Sequence, residues 1–388
     1  MSERPLRVAV DGRCLNVTGL RGMGKSLHQF ISRTAASGAV EWHVLADRPD
    51  LPMHVPHEDC HVSVFETRGY RVAAWEQYSL PAAARRVRAD VLHAPATTAP
   101  WWQPVPTVIT IHDTIPWQTG EGTRPGFYRD RVLPAAYRQA RAIITISNTS
   151  RRDILALWPE LEPKLHIISP GVDERYLVAV RDRQPIVVDN RVVPEPYLLY
   201  LGGAEPRKRL LWALQAWWSA AGDATMVVCG LEATAHDRIR NSVPRHVRDR
   251  LVIAPYVAEE DMPRLFMRAT AVLYPTLYEG FGMPAVEAQA VGTPVLFSDV
   301  GSLTELKGPG AVILPVDDLS AWVRAINELL QSPSPTDRLN HVARGWARQY
   351  SWDAYTSRTL DVYASVAAGR HPAVAVHSPA RSTGRTAS

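Results

Sequence analysis

Residues 274–305 read YPTLYEGFGMPAVEAQAVGTPVLFSDVGSLTE, and this stretch decides the fold. It begins at the end of a short apolar run, residues 271–274, which is typical of a buried strand. A loop with two glycines follows. Pro284 suits the first turn of a helix, where its missing N–H costs nothing, and Gly292 is a typical C-terminal cap. Residues 293–297 predict the next strand. The stretch therefore predicts a strand, a glycine loop, a helix and a strand.

The physical chemistry of this unit favours a phosphorylated ligand. A glycine loop at a helix start presents unpaired backbone N–H groups and the positive end of the helix dipole, and glycines let a diphosphate come close. Glu279 lies at the carboxyl edge of the strand, where it can accept hydrogen bonds from hydroxyls. Glu287 lies about two helical turns further on and can point into the same crevice. Two carboxylates around a phosphate cradle suit a nucleotide-sugar.

The rest of the chain indicates an α/β protein with two similar halves. Apolar runs alternate with helical patterns, which predicts parallel, doubly wound sheets. Two Rossmann-like domains facing across a cleft would hold a ligand outside the carboxyl ends of their strands. We expect the following division: an N-terminal domain in 1–172, a linker in 173–196, a C-terminal donor domain in 197–351, a helix in 352–368 that packs back on the N-terminal domain, and a disordered tail in 369–388.

The glycine stretch resembles a known family. Its context, E-G-F-G-M-P-A-V-E, is similar to the E-x7-E motif of retaining glycosyltransferases of family four, which have the two-domain GT-B fold. The resemblance implies that Glu287 holds the ribose of the donor and Glu279 the hydroxyls of its sugar. The implied backbone contacts to the donor come from the residues between them: Gly280, Phe281, Gly282 and Met283.

A second motif with the same resemblance follows the first strand of the C-terminal half. Residues 202–209 read GGAEPRKR and are similar to the family's G-x-x-x-P-R-K-N-L. On a strand-to-helix loop, two cations can neutralise a diphosphate leaving group. The resemblance implies that Lys208 contacts the donor phosphate and that Arg207 is a second contact. Because Gly203 stands where some members carry a donor-binding arginine, we expect the clamp to depend more on Arg207.

The N-terminal half offers two further candidates. His112 ends the predicted strand T-V-I-T-I-H-D, and the carboxyl end of a strand is where an α/β site opens. The similar T-x-H-D stretch of the family implies that His112 lies beside the donor sugar, while Asp113 either shares that role or caps the following turn. The family's glycine loop after the first strand implies donor contacts for Gly22 and Gly24.

Two other functions stay open at this level. Residues 19–26, GLRGMGKS, match the phosphate-loop pattern G-x-x-x-x-G-K-[ST], which would predict a magnesium-dependent ATPase or kinase with Lys25 on the phosphates. Against this, residues 12–18 separate the loop from its strand, and no convincing magnesium-binding aspartate follows a partner strand. A nucleotide-sugar epimerase or hydrolase on the same fold is the other alternative.

Composition limits the partners. A net charge of +4 without a dense basic block argues against nucleic acid as a ligand. Three scattered cysteines, Cys14, Cys60 and Cys229, show no spacing for zinc or disulfides, so we expect no metal, no cofactor and a reducing cytoplasm. The N-terminus enters a strand directly, so we expect no signal peptide, and no apolar run reaches the ~18 residues of a membrane span. Trp101 and Trp102 are candidates for an interfacial anchor or an acceptor platform.

The resemblance implies a retaining, metal-independent hexosyltransferase. The expected donor is a nucleotide-diphosphate sugar with mannose, rhamnose or glucose, and GDP-mannose is favoured. The expected acceptor is a glycan or lipid-linked glycan of cell-surface polysaccharide synthesis in a bacterium. We expect a cytoplasmic protein with peripheral contact to the inner face of the membrane.

Overall fold

The computed structural model describes residues 4–20, 22–65, 74–120, 126–182, 184–188, 191–254, 257–331 and 335–370, without the side chains of 335–340. The chain divides into two compact units. Unit 1 consists of Met1–Gly171 and Trp352–Ser388, and unit 2 consists of Val172–Ser351. No helix in the described ranges has the length and apolar character that a membrane crossing requires.

Unit 1 is built on a seven-stranded parallel sheet. Its strands are β1 Leu6–Asp11, β2 Val40–Ala46, β3 His61–Val64, β4 Val91–Ala94, β5 Thr107–Thr110, β6 Ala142–Thr145 and β7 Leu165–Ile167. They lie in the order β3-β2-β1-β4-β5-β6-β7. The α-helices are α1 Gly22–Ala35, α2 Leu80–Arg86, α3 Ile115–Gln118, α4 Leu133–Gln139 and α5 Asn148–Leu157. Two π-helical turns, Trp75–Ser79 and Tyr128–Val132, lead directly into α2 and α4.

Unit 2 repeats this architecture with a six-stranded parallel sheet. Its strands are β10 Tyr197–Leu201, β11 Thr225–Cys229, β12 Leu251–Ala254, β13 Ala271–Tyr274, β14 Val295–Ser298 and β15 Ala311–Leu314, in the order β12-β11-β10-β13-β14-β15, beside a small hairpin of β8 Val187–Val188 and β9 Arg191–Val192. Its helices are α6 Glu174–Val178, α7 Leu210–Ser219, α8 Ala233–Ser242, α9 Met262–Arg268, α10 Met283–Ala290, α11 Leu319–Gln331 and α12 Pro335–Ala347.

Burial on both faces explains the continuous apolar strands. Every residue of β4, β5, β6, β13 and β14 is buried. Strands of a parallel sheet are covered by helices on both sides, so they lack the polar alternation of a one-sided sheet. This pattern made the strands readable from the sequence, and the prediction of two doubly wound α/β halves is confirmed.

The strand orders place one topological switch point in each sheet. In unit 1 the order reverses between β1 and β4, and in unit 2 between β10 and β13. Loops that leave the carboxyl ends of such a strand pair diverge to opposite faces, which opens a crevice for ligands. The loops after β10 and β13 carry the two strongest motifs of the sequence.

The last helix returns to the N-terminal half of the chain. Helix α13, Trp352–Ala367, packs against α1, β4 and β5 in unit 1. Tyr363 on this helix is buried and its hydroxyl lies 2.7 Å from His93 Nδ1, while His93 Nε2 lies 2.9 Å from Thr110 Oγ1. These contacts join α13 to strands β4 and β5.

His93 predicts a pH dependence of stability. Burial, with a smaller contribution from the charge of His112, lowers the pKa of His93 to about 3 from a usual 6.5. As the pH falls, His93 is therefore protonated in the unfolded chain before it is protonated in the folded one. The stabilising contribution of neutral His93 is complete above about pH 6.5 and is lost as the pH falls towards 3. Between pH 7 and pH 5 we expect a loss of about 2 kcal/mol from this residue. Urea unfolding at both pH values should show a smaller loss in His93→Gln, and an equal loss in the two proteins would contradict this origin.

One part of the sequence-based division differs from the structure. The stretch expected as a linker, 173–196, belongs to unit 2, where its described part forms α6 and the β8–β9 hairpin. Arg264 and Arg268 on α9 pair with Asp182, which ties this stretch to the unit. The expected disordered tail falls almost wholly on residues 371–388, outside the described residues.

Candidate active site

Two loops of unit 2 bring oppositely charged side chains together at the switch point. The loop after β10 carries Arg207 and Lys208, and the loop after β13 carries Glu279. Glu279 Oε1 accepts a hydrogen bond from Arg207 Nη1 at 3.0 Å and lies 3.8 Å from Lys208 Nζ. The three side chains are between 13% and 21% exposed, so the cluster is screened from water yet reachable. Two cations and one carboxylate leave a local charge of +1, which suits an anionic ligand.

Backbone hydrogen bonds hold the two loops in register. The Arg207 carbonyl accepts from the Leu277 N–H at 2.7 Å, and Thr276 Oγ1 lies 3.2 Å from the same oxygen. Arg207 Nη1 also donates to the Tyr278 carbonyl at 3.1 Å. The cationic loop and the carboxylate loop therefore form one structure, although about seventy residues separate them in the chain.

Glycine and serine shape the turn that follows Glu279. Gly282 precedes α10 with φ 108° and ψ 53°, in the left-handed region, and a Cβ there would lie 2.5 Å from Leu303 Cδ2. Ser302 Oγ is within hydrogen-bond distance of the carbonyl oxygens of Glu279 (2.7 Å) and Phe281 (3.0 Å). The Phe281 ring is buried and packs edge-on against Tyr350. Phe281 thus anchors the turn by its side chain and leaves only its backbone for a ligand.

Two tyrosines support the cluster from the strands below. Tyr200, in β10, donates through its hydroxyl to the carbonyls of Gly203 and Lys208, at 3.1 and 3.2 Å. Tyr274 closes β13 and is buried. Burial, followed by the negative charge of Glu279, raises the pKa of Tyr274 well above 10. Both phenols therefore stay neutral donors next to the charged groups.

The remaining motif residues of unit 2 lie on α10 or at its start. Gly280 is buried in the turn, and Met283 is the first residue of the helix. Glu287 is half-buried on the same helix. Its charge acts on Tyr176 of α6, whose pKa is raised first by burial and then by Glu287. Glu287 therefore lies towards the α6 side of the helix, while Glu279 lies with Arg207 and Lys208.

In unit 1, His112 lines a small recess at the carboxyl edge of the sheet. The recess is lined by Met23, Ser26, Leu27, His93, Pro95, Thr110, His112 and Tyr355. His112 Nε2 lies 2.8 Å from the Pro95 carbonyl. Because a carbonyl only accepts, Nε2 carries the proton and Nδ1 is left as an acceptor. Burial lowers the pKa of His112, against the opposing hydrogen bond to Pro95, so the neutral ring is favoured.

The glycines of the first loop have different structural roles. A Cβ on Gly24 would lie 2.4 Å from the Cys14 carbonyl oxygen, so Gly24 lets α1 pack closely on the turn after β1. A Cβ on Gly22 would meet nothing within 4 Å. Gly22 is exposed at the start of α1, and a ligand contact there remains a prediction.

The segment that matches the phosphate-loop pattern does not form a loop over most of its length. Arg21 lies outside the described residues. Residues 22–26, which include Lys25 and Ser26, are already part of α1, and Ser26 Oγ donates to the Gly22 carbonyl. The glycine-rich portion that should wrap a phosphate is thus largely helical, which disfavours the ATPase or kinase hypothesis.

The sequence did not indicate the residues that position the cluster, namely Tyr200, Thr276 and Ser302. None belongs to a charged motif. The available signal was their place at the ends of predicted strands and in the polar segment after β14, where hydroxyls commonly bind loop backbone. Their partners lie up to 69 residues away, which no local pattern indicates.

Two family models match consecutive parts of the chain. The model of Glycosyltransferase Family 4 matches residues 20–176, and that of Glycosyl transferases group 1 matches residues 184–346. Together with the two parallel-sheet units, these matches show that the chain belongs to the glycosyltransferases with the GT-B fold.

Characterised relatives are similar over part of their length. The chain is 28% identical over 242 residues to O-antigen chain mannosyltransferase B of Escherichia coli, which covers 61% of this chain and 64% of that protein. It is 27% identical to alpha-maltose-1-phosphate synthase of Mycobacterium tuberculosis, over 68% of this chain and 74% of that protein. It is 30% identical to D-inositol 3-phosphate glycosyltransferase of Salinispora tropica, over 68% of this chain and 60% of that protein.

Solved structures share the fold at low sequence identity. Sucrose-phosphate synthase from Thermosynechococcus elongatus superposes with a TM-score of 0.75 at 18% identity, covering 94% of this chain and 100% of that one. The Anabaena protein HepE in complex with UDP-glucose superposes with a TM-score of 0.71 at 15% identity, covering 93% of this chain and 100% of that one.

Proposed function

We propose that this protein transfers a hexose from a nucleoside-diphosphate sugar to a glycan or glycolipid acceptor. The observation that carries the proposal is the convergence of Arg207, Lys208 and Glu279 within 4 Å at the switch point of unit 2. Positive charge next to a helix start suits a diphosphate, and a carboxylate suits sugar hydroxyls. The names of the relatives add support, since they include an O-antigen chain mannosyltransferase and a D-inositol 3-phosphate glycosyltransferase.

The proposed reaction breaks the bond between the anomeric carbon and the diphosphate. The departing oxygen gains negative charge, and Lys208 and Arg207 stabilise it more strongly than they stabilise the bound donor, which lowers the barrier. Because these two cations supply the positive charge that offsets the negative charge of the departing oxygen, we propose a metal-independent reaction. The acceptor hydroxyl oxygen bonds to the anomeric carbon on the face that the leaving group vacates and gives its proton to the departing diphosphate oxygen, so the configuration is retained.

Arg207 and Lys208 have different tasks in this scheme. Arg207 is held by Glu279 and by the Tyr278 carbonyl, while among the described residues the ammonium of Lys208 contacts only Glu279, at the longer distance of 3.8 Å. Lys208 can therefore turn to a phosphate at little cost, whereas Arg207 first keeps Glu279 oriented. The expectation that the clamp depends more on Arg207 gives way to a proposal in which Lys208 is the principal phosphate contact.

Donor identity is best tested by ligand-induced stabilisation. We expect GDP-mannose, and next GDP, to raise the midpoint of thermal unfolding more than UDP, ADP or their glucose conjugates. A ligand at 100 times its Kd adds about 2.7 kcal/mol of apparent stability, so the ligand that binds most tightly gives the largest shift. The shift should persist in EDTA. A larger shift with UDP-glucose would show that UDP-glucose is the donor instead of GDP-mannose, and the protein would still be a hexosyltransferase. Donor cleavage that releases free sugar at the same rate with and without acceptor would instead favour a hydrolase.

The acceptor side is proposed from exposed aromatic residues of unit 1. Trp101 and Trp102 are 56% and 44% exposed, and Tyr78 and Phe127 exceed 70%. Gln77 holds this region together, because it accepts from the Trp101 N–H and donates to the Tyr128 hydroxyl. Exposed tryptophan and tyrosine suit the headgroup layer of a membrane, so we propose peripheral contact with the cytoplasmic face and a lipid-linked acceptor in surface polysaccharide synthesis.

A further inference from the structure

Three potential metal ligands lie together at the start of β2 and β3 in unit 1. Glu41 and His43 are two residues apart on β2, so they project from the same face of the sheet. His61 is the first residue of β3, and it pairs directly with His43 in the parallel register. Glu41, His43 and His61 therefore share one face at the edge of the sheet.

Their ligand atoms point at one another. Glu41 Oε1 lies 3.0 Å from His43 Nε2 and 4.0 Å from His61 Nε2. The two imidazole rings stack with centroids 4.8 Å apart, and one ligand atom from each residue falls within 4.8 Å of the others. In a tetrahedral zinc site with bonds of about 2.0–2.2 Å, neighbouring ligand atoms lie roughly 3.3–3.6 Å apart. Small side-chain adjustments therefore suffice to surround an ion.

The carboxylate is already oriented by a neighbour. Arg7, on β1, donates through Nε to Glu41 Oε1 at 2.9 Å and through Nη2 to Oε2 at 3.0 Å. Oε2 keeps a further lone pair, and the second lone pair of Oε1 is the one that faces His43 Nε2. Partners such as Arg7 hold metal ligands in place. The site is also accessible, since the His61 side chain is 61% exposed.

We propose that Glu41, His43 and His61 bind a divalent transition metal of the zinc type, with water completing the coordination. Two imidazoles and a carboxylate are a common donor set for Zn²⁺. The ion would enter between His43 Nε2 and Glu41 Oε1, and His43 would then carry its proton on Nδ1. No other set of three such residues is this close in the parts of the chain that the structure describes.

The role of this metal is structural. β3 is an edge strand of four residues, held to the sheet on one side only, by β2. A metal bridge from β3 to β2 would secure that strand. Glu41 and His61 lie near the amino ends of their strands and His43 lies in the middle of β2, whereas His112 and its recess follow the carboxyl end of β5 in the same sheet. The ion would thus lie away from the His112 recess of the same unit, and the proposal is compatible with metal-independent transfer.

Calorimetric titration of the EDTA-dialysed full-length protein with Zn²⁺ tests the proposal. We expect one ion per chain, and an increase in the midpoint of thermal unfolding when Zn²⁺ is present. His61→Ala, an exposed position on an edge strand, should weaken binding at least tenfold and remove the thermal shift. His43→Gln should do the same. The matched control is His246→Ala, which removes an exposed histidine of unit 2 and should bind Zn²⁺ like the wild type.

Co²⁺ gives an independent readout, because tetrahedral coordination by nitrogen and oxygen produces visible absorption bands that octahedral aqueous Co²⁺ lacks. The bands should appear in the wild type and in His246→Ala and be absent in His61→Ala. The proposal is overturned if the wild type shows no stoichiometric Zn²⁺ binding, or if His61→Ala and His43→Gln bind as tightly as His246→Ala. Mg²⁺, which prefers six oxygen ligands, should give no shift.

Discussion

Lys208→Ala is expected to lower kcat at saturating donor by about 10²–10³-fold, the usual cost of removing one preorganised donor to a developing negative charge. Lys208 has no hydrogen bond from its ammonium in the described structure, only the 3.8 Å contact to Glu279. A partly exposed pair of this length adds at most about 1 kcal/mol to stability. The variant should therefore fold like the wild type and lose turnover.

Measurement of kcat and of urea unfolding on the same preparations separates these effects. Lys307→Ala is a matched control, because Lys307 is an exposed lysine of the same unit. It should change neither quantity. Lys208→Arg, which keeps the charge at a different reach, should recover part of the turnover. If Lys208→Ala turns over within twofold of the wild type at saturating donor, Lys208 does not stabilise the leaving group.

Gly282→Ala is expected to lower the free energy of unfolding by about 2–6 kcal/mol. Two costs add: an L residue at φ 108° is strained by roughly 1–3 kcal/mol, and its Cβ would be forced against the buried Leu303, an overpacking cost of about 1–3 kcal/mol. Relief of the clash would move the start of α10. Donor affinity should therefore fall as well, because the backbone N–H groups at that helix start are the proposed phosphate contacts.

Gly222→Ala provides the control for strain alone. Gly222 also has a positive φ, 92°, but a Cβ there meets nothing within 4 Å. Its replacement should cost only the strain and leave donor binding unchanged. Urea unfolding and donor titration of both variants measure the difference. Equal losses of stability would show that the close packing on Leu303 contributes nothing, and unchanged donor affinity in Gly282→Ala would separate the turn from the donor site.

The predicted elements agree with the structure where burial is two-sided. The strand predicted at 271–274 is β13, and the strand predicted at 293–297 overlaps β14, because both are apolar runs flanked by glycine and proline. The π-helical turns before α2 and α4 were not predicted. They extend the hydrogen-bonding register by one residue, a change in backbone geometry that side-chain periodicity does not encode.

The candidate site was predictable in kind and not in arrangement. Local sequence marked Glu279, Gly282 and Lys208, since each depends on a loop next to a predicted strand. The pairing of Arg207 with Glu279 was not predicted, nor was the support from Tyr200 and Ser302. The proposed metal site of Glu41, His43 and His61 was not indicated by the sequence, because the two histidines lie on different strands and no local spacing relates them.

By itself, the sequence determined the two consecutive series of strands and helices and the glycine turn before α10. These features depend on residues close in the chain: apolar periodicity, the φ that only glycine adopts readily, and proline at a helix start. The tertiary structure decided which side chains meet. Strand order brings β10 beside β13, so that Lys208 reaches Glu279, and strand register sets His61 against His43. Order and register depend on the packing of the whole sheet, which no single stretch of the chain specifies.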